Sequence, residues 1–252
     1  MAGATPDSLL AFHDAGYREM AERIGGGTVL DVGCGVGDQT ARLAGVGRQV
    51  IGVDYDPQTA VDAAREWTPK GLRFAAMDGA RIAARPRSID WVCSSHIIEH
   101  FVAPERHVAE LARVTTDDGT TLVITPNRPA DFENPFHVSP FEADELESLL
   151  ALFFRDVTVH GLEGSPELQA DFARRRASGE RLLKLDPLDL RHKMPRRWYV
   201  WTYERVLPVV YRALGADRTG IGSGIDESHF FLVDQITPTT PGLFAVARAP
   251  RH

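Results

Sequence analysis

His96, Glu99 and His100 follow one another at i, i+3 and i+4 in the stretch SSHIIEHF, residues 94–101. On a helical turn that spacing puts all three side chains on one face. Two imidazoles and a carboxylate can ligate a divalent cation, move a proton, or only brace the end of a helix. A further imidazole, His137 in NPFH, follows a later apolar run and could reach the same rim.

The surrounding pattern must position these groups. Apolar β-rich runs occur at 28–33, 49–55, 72–78, 88–95, 119–127 and 154–162, and a last one at 242–249. Helical patterns such as PQTAVDAARE and APERHVAELARV separate them. Continuous apolar strands alternating with helices predict a parallel sheet covered on both faces. Right-handed crossovers then give a doubly wound α/β domain whose ligands sit at the carboxyl ends of its strands. Residues 1–162 with 242–252 are expected to form this domain, and 163–241 a mostly helical lid, being too long for a plain connection. Between Pro166 and Gly215 there are eleven Lys/Arg against six Asp/Glu. That suits either a solvated face or a lid with a basic side. The aromatics of RRWYVWTYE point to burial for most of the group.

The first strand runs into VLDVGCGVGDQT. Gly33, Gly35 and Gly37 give G-x-G-x-G, and the last glycine of a dinucleotide fingerprint is replaced by Asp38. A carboxylate there repels a pyrophosphate and tolerates a cofactor with a cationic centre and no phosphate. Asp54 ends the second strand, where a carboxylate can bind ribose hydroxyls. Asp78 ends the third strand, within reach of an adenine amino group.

Together VLDVGCGVGDQT, VIGVDYDP, MDGA, SIDWVCSSHIIEHF and LARVTTDDGTTLVITPN resemble the successive motifs of class I S-adenosylmethionine-dependent methyltransferases. The resemblance covers residues 25 to 162 and the final strand. It implies a mostly parallel seven-stranded sheet with an antiparallel last strand between the fifth and sixth. It also implies S-adenosylmethionine as cofactor, with Asp31, Gly33, Gly35 and Gly37 around its methionine part. Asp54 would hold the ribose, Tyr55 the adenine face, Asp78 and Gly79 the base, and Ser94 and Ser95 the methionine end. The amphipathic segment from Asp7 would cover the cofactor, with Tyr17 as a contact.

The fourth-strand loop reads SSHI, unlike the proline-rich loop of enzymes that methylate nucleobase amino groups. The IIEH and TPN elements, with NPFHVSPFEADELESLL, resemble small-molecule O-methyltransferases of the ubiquinone pathway and of actinobacterial sugars. A hydroxyl acceptor must lose a proton, which calls for a base or a metal. His137, His96 and Glu99 are the catalytic candidates, and His96, Glu99, His100 and His137 the candidate ligands of a divalent metal. Three rivals remain. One is a nicotinamide oxidoreductase, which must explain Asp38; another is a cofactor-binding regulatory protein without turnover. The third is a zinc protease suggested by H-x-x-E-H, which would need a long helix where a strand runs into the motif.

A net charge of −7 argues against a surface built to coat nucleic acid or an anionic membrane. No apolar run is long enough to span a bilayer. The opening residues lack a basic n-region, so no signal peptide is expected. Two cysteines, Cys34 and Cys93, in apolar runs suit a reduced, cytoplasmic protein. The expected partner is a small-molecule acceptor, and the oligomeric state stays open.

Overall fold

The computed structural model describes residues 7–131, 137–173 and 224–251. Helix α1 (Asp7–Arg23) leads into β1 (Thr28–Val32), α2 (Asp38–Leu43), β2 (Gln49–Asp54), α3 (Pro57–Glu66) and β3 (Leu72–Ala76). Then come β4 (Ile89–Ser95), a 3-10 turn (Ile98–His100), α4 (Pro104–Val114), β5 (Thr115–Pro126), α5 (Ala143–Ala151) and β6 (Phe154–Gly164). Two strands, β7 (Phe230–Val233) and β8 (Gly242–Pro250), follow.

Local chemistry sets several of these boundaries. Asp56 caps α3 by accepting from the amides of Gln58 and Thr59, and Pro57 supplies a preset φ in the first turn. Glu142 and Glu145 form a reciprocal capping box at α5. Helix α2 starts at Gly37, whose φ of 84° only glycine adopts without strain.

The strands form one sheet in the order β3-β2-β1-β4-β5-β8-β6-β7. β1 through β5 pair in parallel, and β8 runs antiparallel between β5 and β6, as the resemblance implied. The sheet has eight strands where seven were expected. The extra one, β7, pairs antiparallel with β6 at the edge. It lies inside the stretch assigned to the lid, as does a helical stretch at 166–173. Both pack where Leu162, Leu168 and Phe230 bury together with Phe12 and Ala15 of α1. The basic and aromatic lid segment itself, at 174–223, lies outside the described residues.

The apolar strands bury on both faces. One face packs Leu30, Val92 and Val123 against Leu111 of α4 and Leu146 of α5. The other packs Val29, Leu122 and Phe244 against Tyr17 and Met20 of α1 and Leu43 of α2. This two-sided burial is why the strands read as continuous apolar runs. The parallel pairing of β1 to β5 gathers the turns after these strands at one end of the sheet.

Candidate functional site

At that end the turn after β1 is tightly made. Gly33, Gly35 and Gly37 all have positive φ, at 85°, 52° and 84°. The amides of Gly33 and Cys34 donate to the Val53 carbonyl at 2.8 and 3.0 Å. Asp54 then holds the turn from β2: one carboxylate oxygen accepts from the Gly35 amide at 3.0 Å, the other from the Asp56 amide at 2.9 Å. Tyr55 is 79% exposed, so its ring is free to meet a ligand at this end. The Asp78 carboxylate accepts from the Ala80 amide at 2.9 Å and closes the turn after β3.

Asp31 is fully buried beneath α1. Its carboxylate accepts from Thr40 at 2.6 Å and from the Tyr17 hydroxyl at 3.1 and 3.2 Å. Tyr17 therefore binds the sheet's own carboxylate. Burial raises the Asp31 pKa to about 6, although both hydroxyls oppose the shift. A raised carboxyl pKa contributes stability that is complete below the unfolded value of 3.8 and lost as pH rises through about 6. Two units correspond to about 3 kcal/mol. Thermal melts of the ligand-free protein should therefore fall between pH 4 and 6 by more than those of Asp31→Asn. Parallel melting curves would refute the assignment.

The end of β4 and the turn after it carry SSHIIEHF. His96 sits at φ 54°, a left-handed conformation uncommon for a side chain with Cβ. Its imidazole packs against Phe12 and His13 of α1, with ring centroids 4.7 and 4.1 Å away. Burial, then the neighbouring imidazoles of His13, His137 and His100, hold its pKa well below the usual value. Glu99 is completely buried, and its Oε2 accepts from the Thr125 hydroxyl at 2.9 Å. Its Oε1 has no hydrogen-bond partner. That atom stands 3.7 Å from His137 Nε2 and 3.9 Å from His96 Nδ1, beyond hydrogen-bond range. Burial raises the Glu99 pKa to about 7.

His137 arrives from the loop after β5. The amides of Val138 and Ser139 donate to the Glu99 carbonyl at 2.8 and 3.0 Å, and the Ser139 hydroxyl donates to the Phe101 carbonyl at 2.8 Å. The His137 ring is pinned by Asp131, whose carboxylate lies 2.5 Å from Nδ1. An ionised carboxylate only accepts, so Nδ1 carries the hydrogen, and the other ring nitrogen, Nε2, is turned toward Glu99. One ligand atom each of Glu99, His100 and His137 lies within 4.8 Å of the others. His96 does not join this group. The left-handed turn sends its ring toward α1, which corrects the expectation that all three SSHIIEHF groups share one face. The cause is that residues 98–100 form a single 3-10 turn beginning after His96.

Ser94 and Ser95 end β4, both buried, and Gly79 follows Asp78 in the turn after β3. Sequence reasoning missed Asp131, His13 and Thr125. His13 lies one helical turn before Tyr17, and Asp131 is an acid six residues before His137. Those were the available signals.

A parallel sheet with β8 inserted antiparallel, a glycine turn after β1 and a carboxylate ending β2 are the arrangement that the resemblance to class I S-adenosylmethionine-dependent methyltransferases implied. Residues 30–123 match the methyltransferase domain family. A Mycobacterium tuberculosis protein named a probable S-adenosylmethionine-dependent methyltransferase is 38% identical over 165 residues, covering 62% of this chain and 59% of that protein. The ubiquinone biosynthesis O-methyltransferase of Burkholderia orbicola is 30% identical over 116 residues, covering 45% of this chain and 50% of that one. The chain thus spans less than two thirds of the length of these relatives.

Among solved structures, the Haemonchus contortus phosphoethanolamine N-methyltransferase 2 in complex with S-adenosyl-L-methionine superposes with a TM-score of 0.57. It is 16% identical, over 93% of this chain and 52% of that one. The [4+2]-cyclase SpnF superposes at 0.58 with 19% identity, over 95% and 82%. These likenesses establish the fold alone. Residues 30–123 thus carry a methyltransferase domain, and the relatives that match this chain include proteins named S-adenosylmethionine-dependent methyltransferases.

Proposed function

We propose that this protein transfers a methyl group from S-adenosylmethionine to a hydroxyl of a small molecule, a sugar or another secondary metabolite. The observation that carries the reading is the Asp131–His137 pair: the carboxylate takes the Nδ1 hydrogen and leaves Nε2 as the ring position that can exchange a proton. S-adenosylmethionine supplies an activated methyl on a sulfonium. Asp31 with Gly33, Gly35 and Gly37 would surround its methionine part. Asp54 would accept from its ribose, with Tyr55 and the Asp78–Gly79 turn at the adenine. His137 would take the hydroxyl proton at Nε2 as the oxygen bonds the methyl carbon and the sulfonium C–S bond breaks, its electron pair leaving with S-adenosylhomocysteine, and Asp131 would stabilise the resulting imidazolium. Helix α1 packs on this end through Phe12 and His13 against His96 and through Tyr17 on Asp31.

The test is direct. S-adenosylhomocysteine should raise the melting temperature and NAD should not. Labelled methyl from S-adenosylmethionine should appear in a metabolite of a cell extract, to be identified by mass spectrometry. A melting shift from NAD alone would favour the oxidoreductase reading. Cofactor binding with no transfer to any metabolite would favour a regulatory protein.

A second reading rests on the partnerless Oε1 of Glu99. Glu99, His100 and His137 offer one carboxylate and two imidazoles, a donor set that fits a transition metal ion. A divalent ion there would lower the pKa of the acceptor hydroxyl. Activity undiminished by a chelator excludes this reading, whereas loss restored by added metal favours it over His137 as base.

Asp54→Ala should weaken S-adenosylhomocysteine binding tenfold or more, because two charge-assisted bonds to the ribose are lost at about 1.5–3 kcal/mol each. Unchanged affinity in calorimetry would remove Asp54 from the cofactor site. Residues 163–241 remain the proposed source of the acceptor pocket's cover. Two free buried cysteines fit a reducing, cytoplasmic setting, and no described helix is long and apolar enough to cross a membrane.

A further inference from the structure

Between the two ends of the cofactor site lies a buried polar chain that the proposed reaction does not use. His107, on α4, is completely buried. Its Nδ1 is 2.8 Å from the Gly79 carbonyl, and its Nε2 is 2.9 Å from the Ser94 hydroxyl. A carbonyl can only accept, so Nδ1 must carry the hydrogen. Nε2 then accepts from Ser94 while the ring is neutral, and burial holds the pKa down to about 4. The tautomer is therefore fixed by its surroundings.

The ring is also fixed sterically. It stacks on Phe101 at 4.5 Å between centroids, with an interplanar angle of 11°. Gly79 packs closely on this pair: a Cβ there would come 3.1 Å from Phe101 and 3.3 Å from His107. The turn that follows β3 thus rests on α4 through one directional bond and one close contact.

We infer that His107 is a positioning residue for the adenosine end of the cofactor, holding the Asp78–Gly79 turn in place through the Gly79 carbonyl. The inference rests on the cofactor reading given above. Asp78 can meet an adenine amino group only if its turn is held; the bonds from Ala80 to the Asp78 carboxylate and from Arg81 to the Asp78 carbonyl are internal to that turn, while Met77 donates to the Asp54 carbonyl and Ile82 to Glu110 at its two ends. His107 adds the tie at its middle, on the Gly79 carbonyl. The same ring commits the Ser94 hydroxyl hydrogen, so Ser94 presents only lone pairs to the methionine end.

The test uses the two amide side chains that imitate opposite edges of an imidazole. In His107→Asn the amide nitrogen stands near the position of Nδ1 and can still donate to Gly79. In His107→Gln it stands near Nε2 and cannot. Calorimetry with S-adenosylhomocysteine should give His107→Asn within about twofold of wild type and His107→Gln about five- to tenfold weaker, the size of one lost directional bond. In an Asp78→Ala background the two variants should bind alike, because the turn no longer has its adenine contact to align. Equal losses in the two single variants, or a difference that persists without Asp78, would overturn the inference. If His107→Gln does not fold, His107→Asn decides: near-native affinity supports the role and a tenfold loss refutes it. Wild-type protein that fails to bind S-adenosylhomocysteine at all overturns the cofactor reading itself, and the inference with it.

Discussion

His137→Ala should lower turnover by about 10²- to 10⁴-fold, the range for removing a positioned general base, while S-adenosylhomocysteine affinity stays within about twofold. Both halves of the expectation follow from placement. His137 stands on the loop after β5, its ring pinned by Asp131 and the next two residues by the Glu99 carbonyl, and none of the turns proposed for the cofactor includes it. Asp131→Asn should act in the same direction by a smaller factor, because an amide can turn either of its ends to Nδ1 and no longer fixes the tautomer. Single-turnover kinetics with the identified acceptor would measure both. Wild-type turnover in His137→Ala would remove the residue as base and as metal ligand together.

The second large effect concerns the glycine turn. Gly33→Ala should destabilise the domain by about 2–4 kcal/mol, combining strain at positive φ with overpacking. At Gly33 φ is 85°, and an added Cβ would lie 2.3 Å from Ile97 Cγ2 and 3.3 Å from its Cβ. The Ile97 Cβ is fixed by its backbone, and its Cγ2 moves only by a χ1 change that a branched side chain resists, so the turn after β1 or the turn after β4 must give. Gly35 supplies the control. Its φ is 52°, and nothing lies within 4 Å of a Cβ there, so Gly35→Ala should cost only about 1 kcal/mol of strain. Chemical denaturation would measure both. A Gly33→Ala loss no larger than that of Gly35→Ala would refute the packing argument.

These glycines were legible in the sequence because each answers a local backbone demand. Asp54 and Asp78 were legible for the same reason: a strand ends, a turn follows, and an acid stands at the junction. The parallel order was legible from continuous apolar strands, and the position of β8 from family resemblance. Strand β7 was not, since the four residues from Phe230 to Val233 carry too short an alternation to stand out from a loop, and only the edge of β6 makes them a strand. The strand β5 also begins earlier than expected, at Thr115, because TTDDG reads as a turn until β4 pairs with it across an irregular register.

The interior of the site was the hardest to read. Asp131 meets His137 from six positions away, and His107 meets Gly79 from 28 positions away. Neither pairing leaves a periodic trace. The spacing of His96, Glu99 and His100 suggested one shared face, and the left-handed backbone at His96 divided it. Backbone chirality at a single residue outweighed the side-chain period.

The place of β8 bears on how the domain assembles as it leaves the ribosome. Residues 242–250 fill the gap between β5 and β6, pairing with both along most of their length. Until that segment emerges, the β5 edge running through Leu122, Val123 and Ile124 has no partner on that side. Such an edge is a template for wrong pairing between nascent chains. The last strand therefore acts as the keystone of the sheet. Loss of a few residues from it should do more damage than loss of the same number from the short edge strand β7.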